Sequence, residues 1–335
     1  MNLERRDFFK ILSVGALAAA GTKPAEARDW QFTGRVPDAP ALLYDSTLCI
    51  GCKACEVGCK KANELDVQHS DLEKAHGVKH TWDSADDLDT DSWLKIKLFK
   101  DGDGSVKDRE KDGFAFMRSA CMHCVEPDCQ SVCPTSALLK DPKTGIVSWD
   151  VDACCGCRYC QVACPFAVPK FEFEETFPEL QKCFLCEHRV LEGKITGCSE
   201  SCPTGATLFG TYEEVLAEAK RRLEIKEGDS YDFPVHALDS GITKPRPAAK
   251  YINYVYGEKD GAGTQYIVLS AVPFTKLGLP KLPDHSSSKK SENLQHTIYQ
   301  GLIAPIILFG GLAAAAFRSV RNEEKMQEGG TENEA

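Results

Sequence analysis

The chain has 335 residues, a length that suits about two domains. Its 50 acidic residues outnumber its 40 basic ones, and no basic stripe stands out, so the charge argues against a nucleic-acid-binding protein. With 42% hydrophobic and 27% charged residues, the composition also excludes an intrinsically disordered chain. The unusual feature is the set of 17 cysteines, whose spacing is regular.

The first 27 residues have the features of an export signal. A charged start precedes an apolar run over residues 11–20, and the Ala-Glu-Ala of residues 25–27 suits a signal peptidase. The adjacent Arg5 and Arg6 resemble a twin-arginine signal. An ordinary membrane anchor is the alternative, but about ten apolar residues are too few to cross a bilayer. Residues 1–27 are therefore predicted to be a twin-arginine signal peptide.

Sixteen of the cysteines form four groups of four, and Cys155 is left over. The groups are, in order, Cys49, Cys52, Cys55 and Cys59; Cys121, Cys124, Cys129 and Cys133; Cys154, Cys157, Cys160 and Cys164; and Cys183, Cys186, Cys198 and Cys202. Groups one and three have the C-x2-C-x2-C-x3-C spacing of bacterial ferredoxins, in which the fourth cysteine binds the neighbouring cluster. Groups two and four lengthen the second gap. Proline follows groups two, three and four, and a short helix is predicted after each Cys-Pro.

Four [4Fe–4S] clusters are the simplest cofactor count, because every ligand position is cysteine. Three-iron clusters, structural zinc and disulfides are the alternatives. Zinc sites need two cysteine pairs rather than a triplet, and cysteines three apart on a tight loop bridge poorly. Cys155 is predicted to be a small buried residue beside a cluster, since using it in place of Cys154 would break the loop spacing.

The regions beyond the cysteine groups are less distinctive. The polar insertion at residues 61–115 is predicted to be a solvated surface lobe, with a docking surface for a partner subunit as the alternative. Thr211 and Glu214 form a capping box ahead of a helix that is expected to end near Gly228. Residues 266–269 favour a strand. The segment 211–297 as a whole is predicted to wrap the cluster domain and to link it to the C-terminus.

A second apolar stretch covers residues 298–317. As a helix it would be roughly 30 Å long, which is the thickness of the hydrocarbon core. A buried core helix is the alternative, but no charge interrupts the stretch. Basic residues flank it equally, so the export signal decides the orientation. The prediction is a transmembrane helix over residues 298–317, followed by a cytoplasmic tail over residues 318–335.

These features together resemble the four-cluster, ferredoxin-like electron-transfer subunits of bacterial respiratory oxidoreductases, with a cysteine match over residues 44–210. The resemblance extends further to the iron–sulfur subunits of hydrogenase-2-type, membrane-bound nickel–iron hydrogenases. The segments that carry it are LYDSTLC (43–49), CMHC (121–124), KDPKTGIV (140–147), GEK through GTQ (257–265) and SENLQHT (291–297).

The resemblance implies how the cysteine groups share their clusters, with group one paired to group four and group two to group three. The implied ligand sets are set A, Cys49, Cys52, Cys55 and Cys202; set B, Cys59, Cys183, Cys186 and Cys198; set C, Cys121, Cys124, Cys129 and Cys164; and set D, Cys133, Cys154, Cys157 and Cys160. It implies an α+β fold, a duplicated 2×[4Fe–4S] ferredoxin-like domain over residues 28–210 with insertions, with small two-stranded sheets.

The function that the resemblance implies is an electron relay at the periplasmic face of the inner membrane. The expected partners are the small and large subunits of a nickel–iron hydrogenase and an integral membrane subunit that reacts with quinone. The alternative is the equivalent iron–sulfur subunit of a molybdenum oxidoreductase such as formate dehydrogenase. No catalytic residue is expected, because the sequence contains neither a nucleotide loop nor a nucleophile–base pair. No nucleic-acid partner is expected, because acidic residues outnumber basic ones.

Overall fold

The computed structural model describes residues 34–65, 87–173, 178–300 and 303–330, and for residues 293, 295–300, 303–304 and 323–330 it describes the backbone alone. The predicted signal peptide, residues 66–86 of the predicted insertion and the end of the predicted tail lie outside the described residues. The rest of the chain folds into short strands and helices around the four cysteine groups.

Within these ranges the strands are short, and several are built from only two or three residues. In chain order they are β1 Pro40–Asp45, β2 Lys95–Lys100, β3 Val106–Lys107, β4 Gly113–Ser119, β5 Leu138–Lys140, β6 Val147–Trp149, β7 Lys170–Phe171, β8 Leu180–Gln181, β9 Thr207–Thr211, β10 Ser230–Pro234, β11 His236–Ala237, β12 Thr243–Pro247 and β13 Tyr266–Leu269. The helices are α1 Ala54–Asn63, α2 Asp128–Ser131, α3 Tyr159–Ala163, α4 Glu187–Leu191, α5 Gly197–Glu200, α6 Tyr212–Glu224, α7 Ser287–Gln300 and α8 Ile303–Gly330, with 3-10 turns at Asp260–Ala262 and Phe274–Leu277.

Strand β1 lies inside a four-stranded sheet of order β11-β9-β1-β13, in which it pairs antiparallel with β9 and parallel with β13. Its apolar residues are continuous because both faces are buried. Leu42 and Tyr44 face the core that holds groups one and four, while Ala41 and Leu43 pack against α6. Side chains alternate between the faces of a strand, so β1 joins two cores.

The segment 211–297 is more than the predicted wrap and linker, because it supplies β13 at the edge of this sheet. The chain just before β13 also bonds to the loop of group two: the N–H groups of Gln265 and Tyr266 donate to the carbonyls of His123 and Met122. The strand predicted at residues 266–269 is present. The capping box of Thr211 and Glu214 is present as well, and α6 ends at Glu224, before the expected Gly228.

The prediction of a helix after each Cys-Pro is wrong. The short helices α2, α3 and α5 precede the last cysteine of their groups, and the chain turns at the Cys-Pro step. Proline has no N–H to donate and cannot continue a helix, so it marks the end of each one rather than the start. Small two-stranded sheets, β5–β6 and β7–β8, follow groups two and three as expected.

The described part of the insertion is integrated into the fold rather than being only a solvated lobe. It forms β2, β3 and the first three residues of β4, and these strands make a three-stranded sheet. Its residues Ile96 and Ala115 belong to the core around groups one and four. Lys95 and Glu56 form a buried ion pair of 3.0 Å, and the Glu56 carboxylate also accepts the N–H of Ile96 at 2.7 Å. This contact fastens the insertion to α1.

The predicted membrane span at residues 298–317 is not supported. Among the described residues, no helix has a stretch that is both long and apolar enough to cross a bilayer. The apolar part of α8 ends at Phe317, and the rest of the helix, from Arg318, is mainly polar and charged.

Candidate iron–sulfur sites

Helices α1 and α5 bring the last cysteines of groups one and four close to each other's groups. They touch at Gly58 and Gly197: a Cβ added to Gly58 would lie 2.4 Å from the Gly197 carbonyl oxygen, and one added to Gly197 would lie 2.6 Å from the Gly58 oxygen. A side chain on either glycine would therefore separate the helices. Helix α1 carries Cys55 and Cys59, and α5 leads directly to Cys202.

The structure brings the members of set B together. Burial raises the pKa of Cys59, and the thiols of the three other cysteines of set B raise it further. The side-chain amide of Asn63 lies 3.6 Å from the sulfur of Cys59 and 3.8 Å from that of Cys186, so it spans groups one and four. In set A, burial raises the pKa of Cys55, and the thiols of Cys202 and Cys49 add to the shift. Cys52 lies half-buried just ahead of α1.

Sets C and D are brought together in the same way by α2 and α3. Burial raises the pKa of Cys124, and the three other cysteines of set C contribute further. Burial also raises the pKa of Cys160 to about 12, and again the three other cysteines of its set add to the shift. Each set thus contains cysteines from two groups, which is the crossing of the ferredoxin pattern.

Interactions between neighbouring sets give their order in space. The thiol of Cys55 in set A interacts with that of Cys198 in set B. Burial raises the pKa of Cys183 in set B to about 12, with a further contribution from Cys121 in set C. Cys129 in set C interacts with Cys160 in set D. Set A therefore neighbours set B, set B neighbours set C, and set C neighbours set D.

The sets differ in exposure along this row. All four cysteines of set B are buried, whereas those of set C are half-buried. In set D, Cys157 is exposed, and Val132, Tyr159 and Val162 beside the set are exposed apolar residues. At the other end Ile50, between Cys49 and Cys52, is more than half exposed. Set D is therefore the most exposed set and set B is covered, while set A reaches the surface only near Cys52 and Ile50.

The chemistry of the donor set fits iron–sulfur clusters. All 17 cysteines lie in described residues and are free thiols, which opposes the disulfide alternative. Over the described ranges, no three side chains of the His, Cys, Asp or Glu type are grouped to hold a single metal ion. A [4Fe–4S] cluster needs its cysteines further apart than a single-ion site does, because each thiolate binds a separate iron atom. Backbone N–H groups of Leu185 and Thr207 donate to the sulfurs of Cys183 and Cys202, both at 3.4 Å, and such bonds stabilise thiolates.

Cys155 is exposed, so the prediction that it is buried is wrong. It lies on the surface of the group-three loop, beside the exposed Cys157. Burial raises the pKa of Cys157, and the neighbouring Cys155 raises it further. Cys155 lies in an exposed loop and belongs to none of the four sets.

Buried cations beside the sets are functional features that the sequence analysis missed. The guanidinium of Arg118 donates to the sulfur of Cys198 at 3.4 Å, and Arg118 is 1% exposed. Lys182 is buried next to Cys183, and its ammonium donates to the Cys183 carbonyl at 3.1 Å. Burial lowers the pKa of Lys140 to about 8, against the opposing effect of Cys124. Arg118 lies in β4 among buried apolar residues, but no local sequence signal distinguishes it, because its contact with Cys198 joins residues 80 apart in the chain.

The two histidines near the cysteines differ. His123 is buried, and its Nδ1 accepts the N–H of Val147 at 3.1 Å, so the neutral ring carries its proton on Nε2. Burial lowers the pKa of His123 well below its usual value, and Lys182 and Lys140 lower it further. His188 is exposed, and its Nε2 lies 2.9 Å from the carbonyl oxygen of Ala62.

Comparison with known proteins gives matches at the level of the family. Residues 113–212 match the family described as a 4Fe-4S dicluster domain. The Hydrogenase-2 operon protein HybA of Escherichia coli O157:H7 is 42% identical over 337 residues, which cover 99% of this chain and 100% of that protein. The formate dehydrogenase iron-sulfur subunit of Haemophilus influenzae is 31% identical over 303 residues, 89% of this chain and 83% of that protein. The formate dehydrogenase-O iron-sulfur subunit of Escherichia coli K12 is 30% identical over 302 residues, 89% of this chain and 86% of that protein.

Proposed function

Because this chain belongs to the family of the hydrogenase-2 operon protein HybA, whose members are iron–sulfur electron-transfer subunits, we propose that it relays electrons between a nickel–iron hydrogenase and a quinone-reactive subunit of the inner membrane. The observation that supports the relay most directly is the row of cysteine sets in the order A, B, C and D. The chain is a non-catalytic subunit of an oxidoreductase complex.

The sixteen cysteines of sets A to D are proposed to hold four [4Fe–4S] clusters. When bound, such clusters supply one-electron carriers whose potentials depend on charge, hydrogen bonds to sulfur and exposure. The chain contributes the thiolates, N–H donors at two of their sulfurs and the burial of set B. Three cysteines of set B, Cys59, Cys183 and Cys198, belong to the apolar core, so the chain also provides an apolar environment for this cluster.

Electrons are proposed to enter or leave at the two ends of the row. The end at set D has an exposed cysteine, Cys157, next to the exposed apolar side chains of Tyr159 and Val162. An apolar rim around a site of exchange suits contact with a partner subunit, since apolar residues are covered in protein interfaces. At set A the corresponding exposed residue is Ile50.

Serine variants test the crossing of the groups. If Cys59 belongs to set B, Cys59→Ser and Cys186→Ser should perturb the same electron paramagnetic resonance signal, although the two residues come from different groups. Cys52→Ser should perturb a different signal. A Cys59→Ser spectrum that matches that of Cys52→Ser, instead of Cys186→Ser, would show that each group holds a cluster of its own.

Metal analysis of the complex, purified anaerobically through a tag on the full chain, tests the partner. Four clusters correspond to about 16 iron atoms from this subunit. Nickel in the same complex supports the hydrogenase assignment. Molybdenum or tungsten instead would favour the second candidate, the iron–sulfur subunit of a formate dehydrogenase. The formate dehydrogenase subunits that are 31% and 30% identical to this chain support that candidate. Zinc without iron would refute both.

The periplasmic face of the inner membrane is the proposed location. Its support is the adjacent Arg5 and Arg6 ahead of an apolar run, the pattern of a twin-arginine signal. Replacing both arginines by lysine should leave the subunit in the cytoplasm, as measured by fractionation and protease protection. A double variant that is exported like the wild type would contradict the proposal.

A further inference from the structure

The guanidinium of Arg118 is buried beside set B without a carboxylate partner. Its Nη2 donates to the sulfur of Cys198 at 3.4 Å, while Nε and Nη1 have no hydrogen-bond partner. In the described part of the chain, no Asp or Glu forms a salt bridge with it. The ring of Tyr266 lies 4.6 Å below the guanidinium carbon. An arginine that is 1% exposed therefore has one side-chain hydrogen bond, to a thiol, and two donors without a partner.

Arg222, which is also fully buried, shows how the same fold treats an arginine that has a structural role. Its guanidinium donates to Asp45 at 2.9 Å and to Glu218 at 2.8 Å, so carboxylates neutralise its charge. A buried charge without such partners is costly unless another negative group faces it. For Arg118 the facing groups are the sulfurs of Cys198 and Cys183, followed by those of Cys55 and Cys59.

We propose that Arg118 is the counter-charge of the cluster held by set B and raises the reduction potential of that cluster. The inference rests on the proposed function, because it requires a cluster at set B. Reduction by one electron from a neighbouring cluster adds one negative charge to the site, and no bond, proton or group moves. A fixed positive charge at hydrogen-bond distance from a ligand sulfur favours the reduced state. Arginine suits this role because it stays protonated in any protein environment.

The charge of Arg118 matters for electron transfer because set B neighbours both set A and set C. All four cysteines of set B are buried, and they include Cys198, which interacts with Cys55 of set A, and Cys183, which interacts with Cys121 of set C, so set B is placed to pass an electron between its two neighbours. Burial among apolar side chains disfavours the added charge. Arg118 offsets this effect and keeps the potential of the central site within reach of its neighbours.

The test is a potentiometric titration of the anaerobically purified complex, followed by electron paramagnetic resonance. In Arg118→Gln, the ratio of reduced to oxidised set B cluster should fall at least tenfold at a fixed ambient potential. For one electron this is a lowering of ~59 mV. Arg118→Lys keeps the charge and should stay within about threefold of the wild type. The signals of sets C and D should not move.

Tyr266→Phe is the matched control for packing. It removes a buried hydroxyl that donates to the Arg118 carbonyl at 3.0 Å, but it leaves the charge in place. Its titration should agree with that of the wild type. If Tyr266→Phe lowers the reduced fraction as much as Arg118→Gln, or if Arg118→Lys does, the charge is not the cause and the proposal is wrong.

Iron and sulfide analysis separates this inference from the proposed function. A wild-type complex without iron in this subunit would refute the proposed function itself. A full complement of iron with an unshifted titration in Arg118→Gln would refute only the role of Arg118. If Arg118→Gln fails to assemble the set B cluster, Arg118→Lys decides: normal iron and a normal titration support the counter-charge, and normal iron with a tenfold shift overturns it.

Discussion

Replacing Gly58 by alanine places a methyl group where α1 and α5 touch. The added Cβ would lie 2.2 Å from the hydroxyl oxygen of Ser201 and 2.4 Å from the carbonyl oxygen of Gly197. The serine side chain can rotate, but the carbonyl belongs to the backbone of α5, so the helices must separate by about 1 Å to restore ordinary contact. Overpacking of this kind costs ~1–3 kcal/mol, and the better helix propensity of alanine returns at most ~1 kcal/mol.

The separation should affect two ligand sets and spare the other two. Helix α1 carries Cys55 and Cys59, and α5 carries Cys198 and leads to Cys202, so sets A and B both depend on this contact. We expect Gly58→Ala to lose up to half of the roughly 16 iron atoms of the subunit, with signals of sets C and D retained. The assay is iron and labile sulfide per chain, compared with wild-type complex purified in parallel.

Gly311→Ala in α8 is the matched control, because a Cβ there meets nothing within 4 Å. It should retain full iron. Adding Ser201→Gly to Gly58→Ala removes the closest contact and should restore part of the loss. If Gly58→Ala keeps wild-type iron, wild-type spectra and wild-type thermal stability, the helix contact does not position sets A and B, and the reasoning fails.

Three further predictions concern other parts of the fold. Lys95→Met should lower the free energy of unfolding by ~3–5 kcal/mol, because it leaves Glu56 charged and buried. Burial already raises the pKa of Glu56 and Lys95 opposes that shift, so the deficit should grow as the pH rises above 4.5 and shrink on acidification, as measured by urea unfolding at two pH values. Thr211→Ala should cost ~1 kcal/mol in the same assay, since it removes the hydroxyl half of the α6 capping box, and an unchanged midpoint would contradict this. Cys155→Ser should retain all the iron, and a loss of one cluster would make Cys155 a ligand.

The cysteine pattern made most of the candidate site predictable. Spacing of two and three residues marks a ferredoxin loop because the ligands of one cluster are close in sequence. The capping box at Thr211 and the strand at residues 266–269 were predictable for the same reason, since their signals are local. The prolines were misinterpreted: at each Cys-Pro step the proline ends a helix instead of starting one.

The features that escaped prediction depend on contacts between distant residues. No local pattern indicates that β1 pairs with β13, because the pairing joins residues 42–45 to residues 266–269. Arg118 is an ordinary residue in the sequence, and only the fold places its guanidinium beside Cys198. Ion pairing of Lys95 with Glu56 likewise brings part of an apparently polar insertion into the core.

The crossing of the cysteine groups imposes an order on biosynthesis. Every cysteine of sets C and D has been translated by residue 164, and both sets lie within residues 121–164. Sets A and B begin earlier in the chain, at Cys49 and Cys59, but set B is complete only at Cys198 and set A only at Cys202. The cysteines of group one therefore lack their partners from group four until all of sets C and D has been translated. A chain that ends before group four contains complete ligand sets only for C and D.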